Sequence, residues 1–350
     1  MHKIIDEDAK IIAQSEYINW SKLNNRIVLI SGANGYVPQF FVHAFLKRND
    51  LYGSNIKVIA LCRNKKKAKE RFGEYFERSD LRIIYQDICT PLAVNEKLDF
   101  IVHAASPAGI KVTMENPMSV FDANVMGMRN MAEIALISHA RVLYISSVDV
   151  YGHINEIKRY EETDIGCIDH LASRNIYASA KRATESLCMC YGKSGLDYVI
   201  ARPSQIMGPG ISRDDERLHI NMINQIITTG KIILKGDGTP KRSFIYVTDV
   251  IIGLLVVMTK GKSQGVYNIC NENAEATVKE LAETISKIVT GNRRAIEYDY
   301  VARKKDPAVT SVVSQVCISS RKLQEIGWKP QIGLNESSRR MIDYYKGEKI

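Results

Sequence analysis

Short apolar runs alternate with helical patterns from Arg26 onward, and that rhythm constrains the fold of this chain more than any other property. The runs are Ile27 to Ile30, Lys57 to Leu61, Leu81 to Tyr85, Asp99 to His103, Val142 to Ser146 and Tyr198 to Ala201. Between them lie helical patterns: one to about Lys47, a basic one after Leu61, one through Asn124 to Ser138 and one near Tyr177 to Tyr191. Strands separated by crossover helices predict an α/β fold with a doubly wound parallel sheet.

Two flanking regions depart from the rhythm. Residues 1 to about 25 read as a polar helical extension, with Ile4, Ile5, Ile11, Ile12 and Tyr17 available to pack on the body. After Gly208-Pro-Gly the alternation loosens into helices near Glu216 to Thr229 and Val278 to Val289 with short strands between. The expected division is an extension (1–25), a dinucleotide-binding domain (26–205, with a return near 240–270) and a smaller mixed α/β substrate domain (206–350). A chain of 350 residues with 45% hydrophobic content can bury the core this needs.

Composition narrows the surroundings. The first residues are acidic where a secretory signal would be basic, and the most apolar stretch, Val250 to Met258, falls short of the roughly 20 residues of a membrane span. Seven scattered cysteines suit reduced thiols in a cytoplasmic protein. Cys188-Met-Cys190 has no histidine near it and reads as packing, so no metal site is expected. The net charge of +9 suits an anionic ligand. No nucleic-acid-binding signature accompanies it, so a pyrophosphate-bearing small molecule is the expected partner, with neither nucleic acid nor membrane.

Gly32-Ala-Asn34-Gly35-Tyr36-Val37-Pro38 follows the first strand and opens a helix, the context a dinucleotide fingerprint requires. Gly32 permits a tight turn, and Gly35 lets backbone amides approach a pyrophosphate at the helix N-terminus. Pro38 stands where a third glycine is usual; a first helical turn tolerates it because its missing N–H would be unpaired there. These features predict a Rossmann-like sheet. The second strand ends in Leu61-Cys62-Arg63-Asn64, with no acid before Glu70. Arg63, helped by Lys65 or Lys66, therefore points to NADP(H) in preference to NAD, through a 2′-phosphate. Asp87, with Ile88 beside it, is placed for the adenine amino group, and Ala104-Ala105-Ser106 for close backbone approach to the cofactor.

Tyr177 and Lys181 stand four apart on one helix, so an ammonium can sit beside a phenol and lower its pKa from about 10. A tuned tyrosine serves as general acid or base near neutral pH. Ser147, in Tyr-Ile-Ser-Ser147-Val-Asp149-Val-Tyr-Gly, adds a hydroxyl suited to a sugar oxygen.

The chain resembles the extended short-chain dehydrogenase/reductases that act on nucleotide sugars. The resemblance runs nearly its whole length, through the Gly32 turn, Gln86-Asp87-Ile88, His103-Ala-Ala, Met114-Glu-Asn-Pro117, Asn124-Val-Met-Gly127, Ser146 to Gly152, Tyr177-x-x-x-Lys181, Arg202-Pro203, Gly208-Pro209, Arg242 to Asp249 and Gly327-Trp-Lys-Pro330. It implies Ser147 as the hydroxyl on the reacting oxygen, Tyr177 as acid/base, and Lys181 as the residue that binds the nicotinamide ribose and tunes the tyrosine. It further implies Arg202, Pro203 and Ser204 at the nicotinamide end, and Arg242 with Arg303 on the substrate diphosphate. Gln205 stands where many relatives have asparagine beside the substrate. Homodimers are the family expectation.

Within that family, 4,6-dehydratases resemble one another in an Asp-Glu pair after the serine; Val148-Asp149 stands here, against a dehydratase. Asp149 could imitate, with shorter reach, the glutamate of decarboxylases. Arg63 tilts the expectation toward a net reductase, converting the 4-keto group of a nucleotide-linked 6-deoxyhexose (dTDP-4-dehydro-6-deoxyglucose to dTDP-fucose type) for surface polysaccharide synthesis. The alternatives are an NAD-recycling C4 epimerase or UDP-glucuronate decarboxylase and, in another class, a noncatalytic NADP sensor.

Overall fold

The computed structural model describes residues 1–154, 156, 158–292, 295–299 and 315–347. In chain order the elements are α1 (Lys3–Gln14), β1 (Ile27–Ser31), α2 (Gln39–Tyr52), β2 (Lys57–Cys62), α3 (Lys65–Phe72), β3 (Leu81–Tyr85), β4 (Phe100–His103), α4 (Ile110–Glu115), α5 (Pro117–Ser138) and β5 (Arg141–Ile145). There follow β6 (Arg159–Tyr160), α6 (Ile176–Lys193), β7 (Tyr198–Pro203), β8 (Gln205–Met207), α7 (Leu218–Thr229), β9 (Ile232–Leu234), β10 (Lys241–Tyr246), α8 (Val247–Lys260) and β11 (Gly265–Ile269). Last come β12 (Glu275–Thr277), α9 (Val278–Thr290), β13 (Ile296–Tyr298), β14 (Gln315–Ile318) and helices Arg321–Glu325 and Leu334–Gly347.

Seven strands form one parallel sheet in the order β3-β2-β1-β4-β5-β7-β11. Along β1, Val28 and Ile30 face the cluster that includes Phe41, Phe45, Leu254 and Val257, whereas Leu29 faces Met128, Met131 and Ala132 of α5. A sheet covered on both faces explains why its strands read as nearly continuous apolar runs. Strand order reverses between β1 and β4, so a crevice opens at their carboxyl ends, where ligands of such sheets bind. This is the Rossmann-like arrangement expected from the rhythm.

A second sheet, in the order β12-β10-β14-β6 with β8 also on β10, stands beside those strand ends, and β13 pairs with β9. Arg242 lies opposite Ala276 and Val316 in it. Its strands come from distant parts of the chain, Cys317 pairing with Arg159 for instance.

Helix α1 docks on this body through Ile5, Ala9, Ile12 and Ala13, while Ile11 stays exposed. Fully buried Asp8 accepts from Tyr246 Oη at 2.8 Å and pairs with Arg340 Nη2 of the C-terminal helix at 2.9 Å. Burial raises the Asp8 carboxyl to about 6 while Arg340 pulls it down. We take the pair as ionised at neutral pH, because the guanidinium contact is short and the same partners stabilise the charged form of Arg340.

The apolar stretch Val250 to Met258 is the interior of α8, buried against the sheet. Among the described residues no helix is long and apolar enough to cross a membrane. All seven cysteines are free thiols; Cys188 is buried and Cys190 exposed, and no group of three or more His, Cys, Asp or Glu among the described residues could hold a metal.

Candidate functional site

The turn after β1 is built for close approach. Gly32 has φ +63°, and a Cβ there would lie 2.9 Å from Ala105 Cα. Buried Ser31 ties the two chain segments together, its Oγ accepting from the Ala104 and Ala105 amides at 3.0 and 3.1 Å and lying 2.9 Å from His103 Nδ1. Ser106 Oγ receives Asn124 Nδ2 at 2.9 Å, and Asn34 Nδ2 donates to Asn64 O at 3.1 Å. Pro38 occupies the cap of α2, one residue before the helix, and no side chain caps that end. The first-turn amides of α2 are bonded back into the turn, Gln39 N to Gly35 O at 3.3 Å and Phe40 N to Val37 O at 3.1 Å, which leaves the amides of partly buried Tyr36 and Val37, just after Gly35, to face an anion. This cradle fits the pyrophosphate of a dinucleotide.

At the end of β2 the geometry differs from expectation. Arg63 Nη1 lies 3.5 Å from Asp87 Oδ2, so the residue expected at a 2′-phosphate and the residue expected at adenine face each other. Asp87 also accepts from Cys89 N at 2.8 Å, which with Arg63 holds its carboxyl below the usual range. Asn64 caps α3 by accepting from Lys67 N at 2.9 Å. Ile88 is buried where α5 runs closest: a Cβ on Gly127 would come within 2.9 Å of Ile88 Cγ1.

Tyr177 and Lys181 lie on the first turns of α6, facing β5. Lys181 is buried, and its Nζ donates to Ile145 O at 2.7 Å, 5.0 Å from the Tyr144 ring centroid and 5.6 Å from that of Tyr177. Desolvation pulls its ammonium down to about 7 against the opposing pull of Glu185 and Asp149. The phenol departs from expectation: burial pushes Tyr177 up, Asp149 adds to that, and the Ser147 hydroxyl opposes it by hydrogen bonding. Lys181 does not lower it in this geometry because desolvation has already brought its own ammonium down to about 7, so it is neutral before the phenol titrates.

Ser147 caps the short turn Val148–Tyr151, its Oγ accepting from Asp149 N at 3.1 Å and donating to Asp149 Oδ2 at 3.2 Å. Asp149 itself is exposed to the open cleft, yet protein crowds it closely enough that desolvation raises its carboxyl pKa, opposed by Ser147, Arg242 and Lys181. That desolvation is partial while water reaches the group and grows when a ligand fills the cleft. Arg242 donates to Lys241 O at 2.8 Å and feels Asp149 in return. Ser147, Asp149, Tyr177 and Lys181 thus form one group, on whose Asp149 carboxyl the charge of Arg242 acts. Gln205 pairs opposite Phe244 in β8, and Pro203 ends β7 beside Ile269. Arg303 lies outside the described residues.

Sequence reasoning missed Glu185 and the partners of Arg202. Glu185, one turn beyond Lys181, accepts from Arg202 Nε at 2.9 Å, Arg202 Nη2 at 2.6 Å and Ser146 Oγ at 2.6 Å. Arg202 also donates to Tyr151 Oη at 3.0 Å, so it is committed to a structural network beneath the site, not to its surface. The spacing Lys181-x-x-x-Glu185 was the available signal, since residues four apart share a helix face.

The comparisons agree with this architecture. Residues 28–270 match the NAD dependent epimerase/dehydratase family. UDP-glucuronic acid decarboxylase 1 of Arabidopsis thaliana is 30% identical over 320 residues, covering 91% of this chain and 69% of the relative. A dTDP-glucose 4,6-dehydratase from Bacillus anthracis, crystallised with NAD, aligns with TM-score 0.74 at 22% identity, covering 92% of this chain and 96% of that one. A UDP-glucose 4-epimerase from Thermotoga maritima, crystallised with UDP-glucose, aligns with TM-score 0.75 at 20% identity, covering 91% and 98%. With the fold, the glycine turn and the match in hand, this chain belongs to the NAD dependent epimerase/dehydratase family.

Proposed function

We propose that this enzyme binds NAD and a nucleotide-linked hexuronate of the UDP-glucuronate type, oxidises C4, releases the C6 carboxylate as CO2 and restores the hydride to C4. The carrying observation is the hydrogen-bonded pair of Ser147 and Asp149 beside Tyr177 and Lys181, with Arg242 near enough for its charge to act on the Asp149 carboxyl. The similarity to UDP-glucuronic acid decarboxylases along 91% of the chain supports the same choice. It displaces net 4-keto reduction as the leading reading.

NAD, when bound, supplies the acceptor that takes a hydride from C4 and later gives it back. Tyr177, after its phenol proton has passed to solvent, takes the proton of the C4 hydroxyl in the first step, the positive charge of bound NAD+ favouring the phenolate that burial opposes, and Ser147 holds that oxygen through its hydroxyl. The resulting ketone stands β to the carboxylate. The C5–C6 bond then breaks, CO2 leaves, and the bonding pair moves through C4 onto its oxygen as an enolate. Ser147 and the Tyr177 phenol donate hydrogen bonds to that oxygen, where charge develops. Asp149, pushed toward its protonated form, hands a proton to C5, and Arg242 balances the carboxylate charges beside it. Tyr177 finally returns its proton to the C4 oxygen and Asp149 regains from solvent the proton it gave to C5, so the chain ends as it began.

A second reading, reduction of a nucleotide-linked 4-keto sugar by NADPH, keeps support from the basic end of β2, where Arg63 stands and no acid is present before Glu70. Purified protein is to be incubated with NAD+ and UDP-glucuronate, and separately with NADPH and a panel of nucleotide-linked 4-keto sugars. The decarboxylase reading expects CO2 and a pentose nucleotide with unchanged nicotinamide absorbance. Stoichiometric NADPH consumption with a keto sugar, and no CO2, would replace it by the reductase.

A further inference from the structure

A cavity of about 640 Å³ opens between α3, the loop after β8 and the C-terminal helix, outside the cluster around Tyr177. Lys66, Lys67 and Arg71 project into it from α3, Arg213 and Ser212 face them from the loop, and Tyr344 closes one side. Glu70 is the one acid among its lining residues. Four cations against one carboxylate leave the cavity strongly positive.

Three observations distinguish it from a merely solvated basic face. None of Lys66, Lys67 and Arg71 has a carboxylate within 4 Å among the described residues, whereas most other arginines here are paired. The first turn of α3 holds Lys65, Lys66 and Lys67 and no acid, so its cations sit at the positive end of the helix dipole, an arrangement that costs stability unless an anion joins it. The loop also packs down on the helix: Gly210 has φ +89°, and a Cβ there would come within 2.7 Å of Gln39 Nε2 and 3.1 Å of Arg71 Nη1. A solvated face has no opposing wall; this one has a wall that brings a further cation. Burial and the charges of Arg71 and Arg63 also pull the Lys67 ammonium below its ordinary value, as expected where positive charge is uncompensated.

We propose that this cavity binds a phosphomonoester dianion, gripped by Lys66, Lys67 and Arg71 of α3 and by Arg213 of the facing loop. A phosphate ester carries roughly −2 charge and three acceptor oxygens, which match converging ammonium and guanidinium donors better than a carboxylate does. Two sources share that chemistry. Asn64 lines the cavity and is bonded to Asn34 of the glycine turn, so the cavity adjoins the turn proposed to hold the cofactor, and a 2′-phosphate on its adenosine ribose is one source. A free phosphorylated metabolite entering from solvent is the other. In either case the grip keeps Lys66 of the set expected at a 2′-phosphate but replaces Arg63, which lies on Asp87 and is not among the lining residues, by Lys67, Arg71 and Arg213. The inference stands apart from the sugar chemistry proposed above, because its readout is binding alone.

The test is calorimetric titration of the full chain and of the double variant Lys67→Gln/Arg71→Gln, whose side chains are not in the core. NADP+ and NAD+ are titrated separately, and inorganic phosphate is titrated into protein saturated with NAD+, where the cofactor's own pyrophosphate site is filled. With a cofactor source, wild type binds NADP+ at least tenfold more tightly than NAD+ and the double variant loses that preference. With a free source, NADP+ and NAD+ bind alike, while NAD+-saturated wild type binds phosphate and the double variant binds it at least tenfold more weakly. Equal binding of the two dinucleotides without phosphate binding overturns the proposal, as does a preference or a phosphate affinity that the double variant retains. Unchanged NAD+ affinity and melting temperature in the double variant establish that it is folded.

Discussion

Glu185 and Arg202 form a two-pronged ion pair, Nε to Oε1 at 2.9 Å and Nη2 to Oε2 at 2.6 Å, directly beneath the candidate site. It joins α6 to the end of β7, and Ser146 Oγ adds the end of β5. The partly buried carboxylate therefore fixes the end of β5 that leads into Ser147 and the helix that carries Tyr177 and Lys181 in one frame. It is also the largest influence keeping the buried Lys181 ammonium charged. Glu185→Gln removes both effects. The expected result is a loss of about 3 kcal/mol of stability, since Arg202 is left desolvated without its partner. Turnover should fall at least tenfold, with the alkaline limb of the pH–rate profile shifted toward acid; Glu185→Asp should recover part of both. A lost melting temperature with an unshifted profile would confine Glu185 to a structural role.

Tyr177→Phe keeps the ring and deletes the phenol that moves the C4 proton. Turnover is expected to drop by about 10² to 10⁴, with NAD+ affinity within about twofold of wild type. Steady-state rates and calorimetric NAD+ titration check this together; near-normal turnover would remove Tyr177 from the chemistry.

Lys181 predicts a pH dependence of stability with a definite sign. Its folded pKa, about 7, lies below the ordinary value of 10.5, so between those limits the unfolded chain binds more protons and this group's contribution rises with pH. The charged form is the disfavoured one in the fold, and its penalty is full below about pH 7. Lys181→Met should therefore be more stable than wild type by a few kcal/mol at pH 6, less the cost of the lost bond to Ile145 O. That advantage should shrink steadily toward pH 10.5. Thermal melts across that range measure it, and a pH-independent difference would contradict the depressed pKa.

Asp8 locks the N-terminal helix to the C-terminal one through Arg340 and Tyr246. Asp8→Ala leaves Arg340 with Tyr246 Oη at 3.1 Å and, as its one carboxylate among the described residues, the partly exposed Glu7 at 3.3 Å. The expected cost is about 3 kcal/mol, read from denaturant unfolding, with protease sensitivity appearing near Ile11. A change below about 0.5 kcal/mol would mean that apolar packing alone holds α1.

The sheet was legible in the sequence because its strands are buried on both faces, leaving uninterrupted apolar runs: Leu81 to Tyr85 coincides with β3, and the other runs fall within a residue or so of their strands. The second sheet was not, because β6, β8 and β14 are two to four residues long and take their partners from far along the chain. Local pattern cannot reveal such pairings. The Ser147, Tyr177 and Lys181 set was visible as spacing, but the state of its groups was not. The expected lowering of the Tyr177 phenol fails because burial raises the phenol and brings the Lys181 ammonium down together, and burial comes from packing against β5, Ile145 O being 36 residues away along the chain. Arg63 illustrates the same limit: its charge was plain, and its partner, Asp87 on the neighbouring strand's end, was not.

Return of the hydride to the sugar is the central claim, and isotope tracing tests it most directly. UDP-glucuronate carrying deuterium at C4 is to be incubated with the enzyme and NAD+, and the products analysed by mass spectrometry and nicotinamide absorbance. The account predicts CO2 release, a pentose nucleotide that keeps its deuterium at C4, and no accumulation of reduced cofactor. Deuterium transferred permanently to the nicotinamide, or no loss of CO2 from this substrate, would contradict it.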